Sequence, residues 1–267
     1  MKYKYIALDL DGTLLDNKHN IQKETKQLLI DLQAQGKVII LCSGRNISMM
    51  KKYAKELGIN HENGFIVSDN GGTVTKLNEK NNETLREIKF SKQIVTKLNT
   101  MLSSKTKDYL VYNNSKIYYK RPCKRQLVMG LRHRSLPRYG INRAGSKILL
   151  IDSEENINKI YEQTKTEISK FNCDFNVFRS VPVLIEVTPP GSTKGSALAF
   201  LAKKYNFLMD DIIAFGDGEN DIDMLEKVGH GVAMENAFDT TKKAADAITS
   251  SNEDGGIYKY LKELNDN

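Results

Sequence analysis

Aspartates recur in two short segments, Asp9-Leu10-Asp11-Gly12-Thr13 and Gly216-Asp217-Gly218-Glu219-Asn220-Asp221, and each follows a short apolar run. Residues two apart in an extended segment point to the same side, which pairs Asp9 with Asp11. Two such carboxylates repel by roughly 4 kcal/mol at about 4 Å in a surface-like dielectric. A cation, or a proton on one of them, must offset that repulsion. The second segment adds Asp217 and Asp221, and no His or Cys accompanies them. An all-oxygen ligand set of this kind selects magnesium over zinc.

Two further segments have the types to meet a phosphate. Ser43-Gly44 offers a hydroxyl and free backbone N–H groups near a helix start, an arrangement that holds phosphoryl oxygens. Lys194 stands between Thr193 and Gly195 at another expected helix start, where the helix dipole disfavours a cation. Its position calls for a bound phosphate or nearby carboxylates. Each segment also has a plainer reading: the acidic ones as solvated turns or helix caps, with Asp221 a good cap, Ser43-Gly44 as a turn, and Lys194 as an exposed lysine.

The elements that must position these residues are legible in the outer thirds. Tyr5–Leu8, Val38–Leu41 and Ile212–Phe215 read as buried parallel strands, each ending at one of the chemical segments. Ile21, Leu28, Leu29 and Leu32 fall on one helical face, and Ile47, Met50, Ala54 and Leu57 mark the next helix. Phe65–Val67, Asn70-Gly71-Gly72 and Thr73–Thr75 read as a hairpin. A helix carrying Ala197, Leu198, Leu201, Ala202 and Tyr205 starts near Thr193, a short one carries Met224, Leu225 and Val228, and Gly231–Met234 and Ala247–Thr249 are short strands. This alternation predicts an α/β fold, a Rossmann-like parallel sheet core with helices on both faces. All the chemical segments then lie at the carboxyl edge of the sheet, where open α/β sheets bind ligands.

The middle of the chain differs, with its apolar residues spread among Lys and Asn. Lys147–Ile151 and Val183–Val187 read as strands flanking a helix at about 154–170, and Thr188-Pro189-Pro190-Gly191-Ser192 as a linker. We expect an inserted α/β cap domain over 84–188, with the core formed by 1–83 and 189–267. The cap segment Lys120–Lys147 is rich in cations, among them Arg121, Arg125, Arg134, Arg138 and Arg143; most are expected on a solvated face. Tyr112, Tyr118 and Tyr119 are expected in the core.

Bulk composition sets the outer limits. The chain has 267 residues, 40% hydrophobic and 27% charged, with a net charge of +7, which suits a globular protein rather than a disordered one. Cys42, Cys123 and Cys173 show no metal-binding spacing, so a reduced, cytoplasmic chain is expected. Acidic residues interrupt the apolar run at the amino end, so no signal peptide is expected. No apolar stretch approaches the length of a membrane span.

Taken together, DLDGTLL, LCSGR, the STKG lysine and GDGENDIDML resemble the four motifs of the haloacid dehalogenase superfamily. GSKILLID, EVTPPGSTKGSALAFLAKKY and SNEDGGIYKYL resemble its Cof-type branch, which carries a class IIB cap. The resemblance covers the whole chain and is weakest over about 84–145. It implies a magnesium-dependent phosphatase acting on small phosphomonoesters, with sugar phosphates first, through an aspartyl-phosphate. By the same resemblance Asp9 is the nucleophile and Asp11 the general acid and base. Asp9, Asp217 and the Asp11 backbone would hold magnesium; Leu10, Ser43, Gly44, Lys194 and Asn220 would contact phosphoryl oxygens, with Asp221 behind them, positioning Lys194 or a metal-bound water. Asp11 is then expected to hold a proton more readily than a free carboxyl group.

Three rivals remain. A phosphomutase of the same superfamily shares every one of these residues. The cationic cap and net charge suit a nucleic-acid-binding protein, although a basic patch does not account for aspartates at two strand ends. A receiver module also gathers aspartates, a hydroxyl and a lysine, but it has no inserted cap and no Asp-x-Asp pair. A small phosphorylated metabolite is the expected partner, with neither nucleic acid nor membrane.

Overall fold

The computed structural model describes residues 2–59, 64–78, 82–113, 116–120, 138–181 and 183–266. They form two compact units. One comprises Met1–Arg45, Met50–Arg86 and Thr193–Asn267; the other comprises Asn46–Met49 and Glu87–Ser192.

The first unit is built on an eight-stranded sheet. Its strands are β1 (Tyr5–Leu8), β2 (Val38–Cys42), β3 (Gly64–Ser68), β4 (Thr73–Lys76), β5 (Glu83–Glu87), β12 (Ile212–Gly216), β13 (His230–Met234) and β14 (Ala247–Thr249). Their order is β14-β13-β12-β1-β2-β3-β4-β5. The six from β14 to β3 run parallel, and β4 turns back antiparallel to β3. Thus β5 carries the sheet past residue 84, and the middle segment of the first unit ends at Arg86.

Alternation along the strands assigns the two faces. Tyr5, Ala7, Ile40, Cys42, Ile212 and Ala214 pack with Ala197, Leu198 and Leu201 of α5 (Lys194–Tyr205) and Met224 and Leu225 of α6 (Ile222–Lys227). On the other face Phe215 meets Tyr260 of the helix Gly256–Asp266 edge-on, with ring centroids 5.8 Å apart. There α1 (Lys23–Ala34) buries Leu29 and Leu32. Ile21 precedes α1 and bridges to Leu15, so it is buried by a β contact rather than as a residue of the helix. The helix α2 (Ile47–Glu56) buries Met50, Tyr53 and Ala54.

The order of strands decides where a site can form. From β1 the chain moves outward to β2 and β3, whereas β12, β13 and β14 extend the other way. Right-handed crossovers therefore send the helices to opposite faces on either side of β1. The loops leaving β1 and β12 diverge and open a crevice between them.

The second unit is a six-stranded sheet ordered β10-β11-β9-β6-β7-β8. Its strands are β6 (Asp108–Asn113), β7 (Lys116–Tyr119), β8 (Arg138–Tyr139), β9 (Lys147–Ile151), β10 (Asn176–Val181) and β11 (Leu184–Thr188), with helices α3 (Lys92–Leu102) and α4 (Glu154–Ile168). Val95, Leu98, Val111, Ile148, Leu150, Ile157 and Ile160 share one core. Tyr112 and Tyr119 pack with Leu110, Ile117 and Leu149 in a second cluster, and Tyr118 joins the first. Lys147 is not on a solvated face: it is buried and donates to Glu186 at 2.8 Å. Arg138 is exposed, and Arg143 lies over the Tyr118 ring at 4.9 Å. Arg121, Cys123, Arg125 and Arg134 lie outside the described residues.

Among the described residues no helix is long and apolar enough to cross a membrane. Phe215 is fully buried in the central strand β12. Phe215→Ala is expected to lower stability by about 3–5 kcal/mol, measured as a reduced urea midpoint with an unchanged slope. A loss below about 1 kcal/mol would show that Phe215 does not carry the packing of this face.

Candidate active site

The ends of β1, β2 and β12 and the start of α5 deliver the side chains to the crevice at the carboxyl edge. β1 ends at Leu8, and the Asp9 N–H donates to the Phe215 carbonyl at 3.1 Å, which carries the sheet ladder one residue into the acidic loop. β2 ends at Cys42 and places Ser43, whose N–H donates to Val67 O at 2.8 Å. β12 ends at Gly216 and leads into Asp217, with Asn220 and Asp221 in the short 3-10 turn that follows. Lys194 is the first residue of α5, capped by Thr193, whose hydroxyl accepts from the Ser196 N–H at 3.2 Å.

These side chains converge. Lys194 is fully buried and its ammonium donates to Asp9, and to Asp221 Oδ1 at 2.5 Å. The second oxygen of Asp221 accepts from the Asp217 and Gly218 N–H groups at 3.0 and 2.9 Å. Asp217 Oδ1 accepts from Thr13 Oγ1 at 2.6 Å. Gly12 makes that approach possible. Its φ is +81°, and a Cβ there would lie 2.3 Å from Asp217 Oδ2, so only glycine fits.

The electrostatics follow from the burial. Burial opposes the charge on Lys194, but the Asp221 and Asp9 carboxylates overcome it and hold the lysine above its ordinary pKa. Burial, with Asp221 and Asp217 adding, raises Asp9 well above the usual carboxylate range although Lys194 opposes the shift. Asp217 is pushed up to about 7, first by burial and then by Asp221. Among the described residues one ammonium, bonded to Asp9 and Asp221, thus stands beside three carboxylates, which leaves the cluster short of positive charge. Asp9, Asp217 and Asp221 each present an oxygen within 4.8 Å of the others. Because Asp221 already serves Lys194 and two backbone amides, Asp9 and Asp217 are the carboxylates left for a cation. Hard oxygen donors suit magnesium, so the donor set fits that ion.

Asp11 is placed differently. Its carboxylate is forked by Arg45, with Nε at 2.7 Å from Oδ2 and Nη2 on Oδ1. Burial works against the Arg45 charge, but Asp11 and Tyr53 hold the guanidinium above its ordinary value. Arg45 also donates to the Tyr53 hydroxyl at 3.1 Å, and His19 Nδ1 lies 3.4 Å from Asp11. The Asp11 side chain, 41% exposed, is not part of the buried cluster. Arg45, Thr13 and Asn70 stand in the site without having been singled out by sequence. Arg45 lies inside the SGR segment and Thr13 inside DLDGT, but which contact each makes depends on packing.

Leu10 is fully buried behind this loop and its carbonyl accepts from the Leu15 N–H at 2.9 Å. Gly44 follows Ser43, whose hydroxyl accepts from the Arg45 N–H at 3.2 Å. Asn220 Nδ2 donates to Asn70 Oδ1 at 3.0 Å. Cys42 is buried beneath the site, and burial first of all raises its thiol far above the ordinary value.

Comparison with known proteins gives a consistent result. Residues 6–261 match the family model of haloacid dehalogenase-like hydrolases. The Bacillus subtilis protein 5-amino-6-(5-phospho-D-ribitylamino)uracil phosphatase YcsE is 26% identical over 263 residues, covering 97% of this chain and 94% of its own. A crystal structure of a haloacid dehalogenase-like hydrolase from Bacteroides thetaiotaomicron is 30% identical with a TM-score of 0.82, covering 98% of this chain and 100% of its own. The subclass IIB sugar phosphatase BT4131, 21% identical, shares the fold with a TM-score of 0.81 over 98% of this chain and 99% of its own.

Lys194→Met leaves Asp9 and Asp221 as unpaired buried charges. Breaking such a pair is expected to cost about 3–5 kcal/mol at neutral pH. The deficit should shrink as pH falls, because protonation removes the unpaired charge. A thermal melt showing the same loss at pH 5 and pH 8 would contradict this account.

Proposed function

Because the chain belongs to the haloacid dehalogenase-like hydrolase family and, like its curated relatives, is a phosphatase, we propose that it hydrolyses small phosphomonoesters through a phosphorylated Asp9, with magnesium as cofactor. The observation that carries this reading is Lys194 gripping Asp9 and Asp221 at the edge of β1 and β12, with Asp217 beside them.

In this reading Lys194 orients the Asp9 carboxylate and screens its charge, so that one oxygen faces the incoming phosphorus. Asp9 attacks phosphorus, the bond from phosphorus to the ester oxygen breaks, and that oxygen takes a proton from Asp11. Asp11 then accepts a proton from water as the water attacks the aspartyl-phosphate. Orthophosphate leaves and the Asp9 carboxylate is restored. For this duty the Asp11 side chain must leave the Arg45 fork. Ser43, Lys194, Asn220 and the Leu10 and Gly44 amides receive the phosphoryl oxygens. Asp9, Asp217 and the Asp11 backbone carbonyl would hold magnesium, which supplies charge neutralisation for the phosphoryl group. Phosphoryl transfer relies chiefly on such positioning and neutralisation.

The substrate reading is a sugar or polyol phosphate. YcsE, whose name specifies a phosphorylated ribityl chain, supports that class. Selection among such substrates falls in this reading to the second unit, proposed as the cap. The free thiols of Cys42 and Cys173 support a reducing, cytoplasmic setting.

Asp9→Asn is expected to abolish release of inorganic phosphate from p-nitrophenyl phosphate and sugar phosphates while the melting temperature stays near that of the parent; full turnover would remove Asp9 as the nucleophile. Chelation with EDTA should stop release and added magnesium should restore it. Undiminished turnover in EDTA would refute the cofactor.

A further inference from the structure

We propose that the turn Asp69-Asn70-Gly71 is a positioning device for the phosphate pocket, in which Asn70 orients the Asn220 amide towards a phosphoryl oxygen. This rests on the reading of the site given above and adds a residue to it.

The turn is a 3-10 segment leaving β3. Two successive non-glycine residues in it have left-handed backbones, Asp69 with φ +52° and Asn70 with φ +55°, and Gly71 follows at φ +91°. Such conformations are costly for side-chain-bearing residues, and Asn and Asp tolerate them best. They persist where the surroundings over-determine them, and they cluster at functional sites. Here the surroundings are parts of the candidate active site. The Asn70 N–H donates to the Ser43 carbonyl at 3.0 Å, and the Asp69 N–H donates to the Arg45 carbonyl at 2.9 Å. At Gly71 an added Cβ would lie 2.0 Å from the Thr193 carbonyl, so the turn is pressed against the residue that precedes Lys194. Asn70 Oδ1 accepts from Asn220 Nδ2 at 3.0 Å. One turn therefore braces the Ser43 loop, the start of α5 and the acidic loop after β12.

The bond to Asn220 has a specific chemical consequence. A primary amide has a donating end and an accepting end. Phosphoryl oxygens only accept, and a carbonyl oxygen turned towards them would repel them. With Asn70 Oδ1 accepting from Nδ2, the nitrogen end of Asn220 keeps a second N–H to donate. Glycine alone would satisfy the backbone at position 70, as it does at 71. The buried Asn side chain supplies what glycine lacks, an acceptor.

Asn70→Gly keeps the left-handed backbone and removes the side-chain amide, and with it the acceptor of the Asn220 bond. In the full-length chain with magnesium, titration of inorganic phosphate by calorimetry is expected to show about tenfold weaker binding for this variant. Its melting temperature should be close to that of the parent. Asn220→Ala should weaken phosphate comparably, and adding Asn70→Gly to it should cause no further loss, because the two residues act as one unit. Unchanged phosphate affinity, fully additive losses, or failure of Asn70→Gly to fold would each overturn the proposal, the last by showing that the side chain is structural. The Asp9→Asn assay separates the two readings: normal turnover in that variant removes the nucleophile assignment, whereas an inactive Asp9→Asn beside a normally binding Asn70→Gly removes only this inference. A parent chain that binds no phosphate overturns both.

Discussion

Lys194 is a fully buried ammonium whose charge is offset by Asp9 from the β1 loop and Asp221 from the β12 loop. Taking such a group out of water costs several kcal/mol unless opposite charges and good hydrogen bonds compensate. Lys194 also stands at the positive end of α5, where the dipole adds to the cost. The arrangement therefore holds only when three segments far apart in sequence meet with correct geometry. The rest of the first unit can be understood as the means of bringing them there.

The sheet supplies the coarse placement and the loops the fine one. Parallel strands β1 and β12, paired in register from Tyr5 with Ile212 to Leu8 with Phe215, bring Asp9 and the Asp217 loop to the same edge. The loop Asp9–Leu15 is then fixed from outside. Asn236 Nδ2 donates to the Gly12 carbonyl at 2.8 Å, and Asn252 Nδ2 donates to the Leu15 carbonyl at 2.8 Å. The Asn252 N–H in turn donates to Asn236 Oδ1 at 3.0 Å, so the two braces support each other. These bonds explain the place of the SNEDGG segment in the chain: it supports the acidic loop without joining its chemistry.

Crowded carboxylates are a stability cost that a folding chain alone would avoid. Burial and mutual repulsion hold Asp9 and Asp217 above the ordinary carboxylate range, and two left-handed residues in the turn after β3 add backbone strain. Charge shortage and strain meet at one edge of the sheet, while the strands beneath are packed with apolar side chains. This is the distribution expected where local stability is given up for a binding geometry.

The sequence by itself determined the elements of the outer thirds and the identity of the residues at their ends. Apolar runs closing in Asp9, Ser43 and Asp217 mark buried strands, and the Thr193 cap and following apolar face mark α5, because these signals are local and periodic. Over 84–145 the same signals exist, with Ser91 capping α3 and Val95, Leu98 and Leu102 spaced along it, but lysines and asparagines dilute them. Tertiary structure alone decided that Lys194 reaches Asp9 as well as Asp221, that Arg45 rather than solvent holds Asp11, that Lys147 is paired inside the second unit, and that Asn70 meets Asn220. Those are choices of partner across long stretches of chain. Strand order and side-chain packing settle them, and no spacing within one segment encodes them.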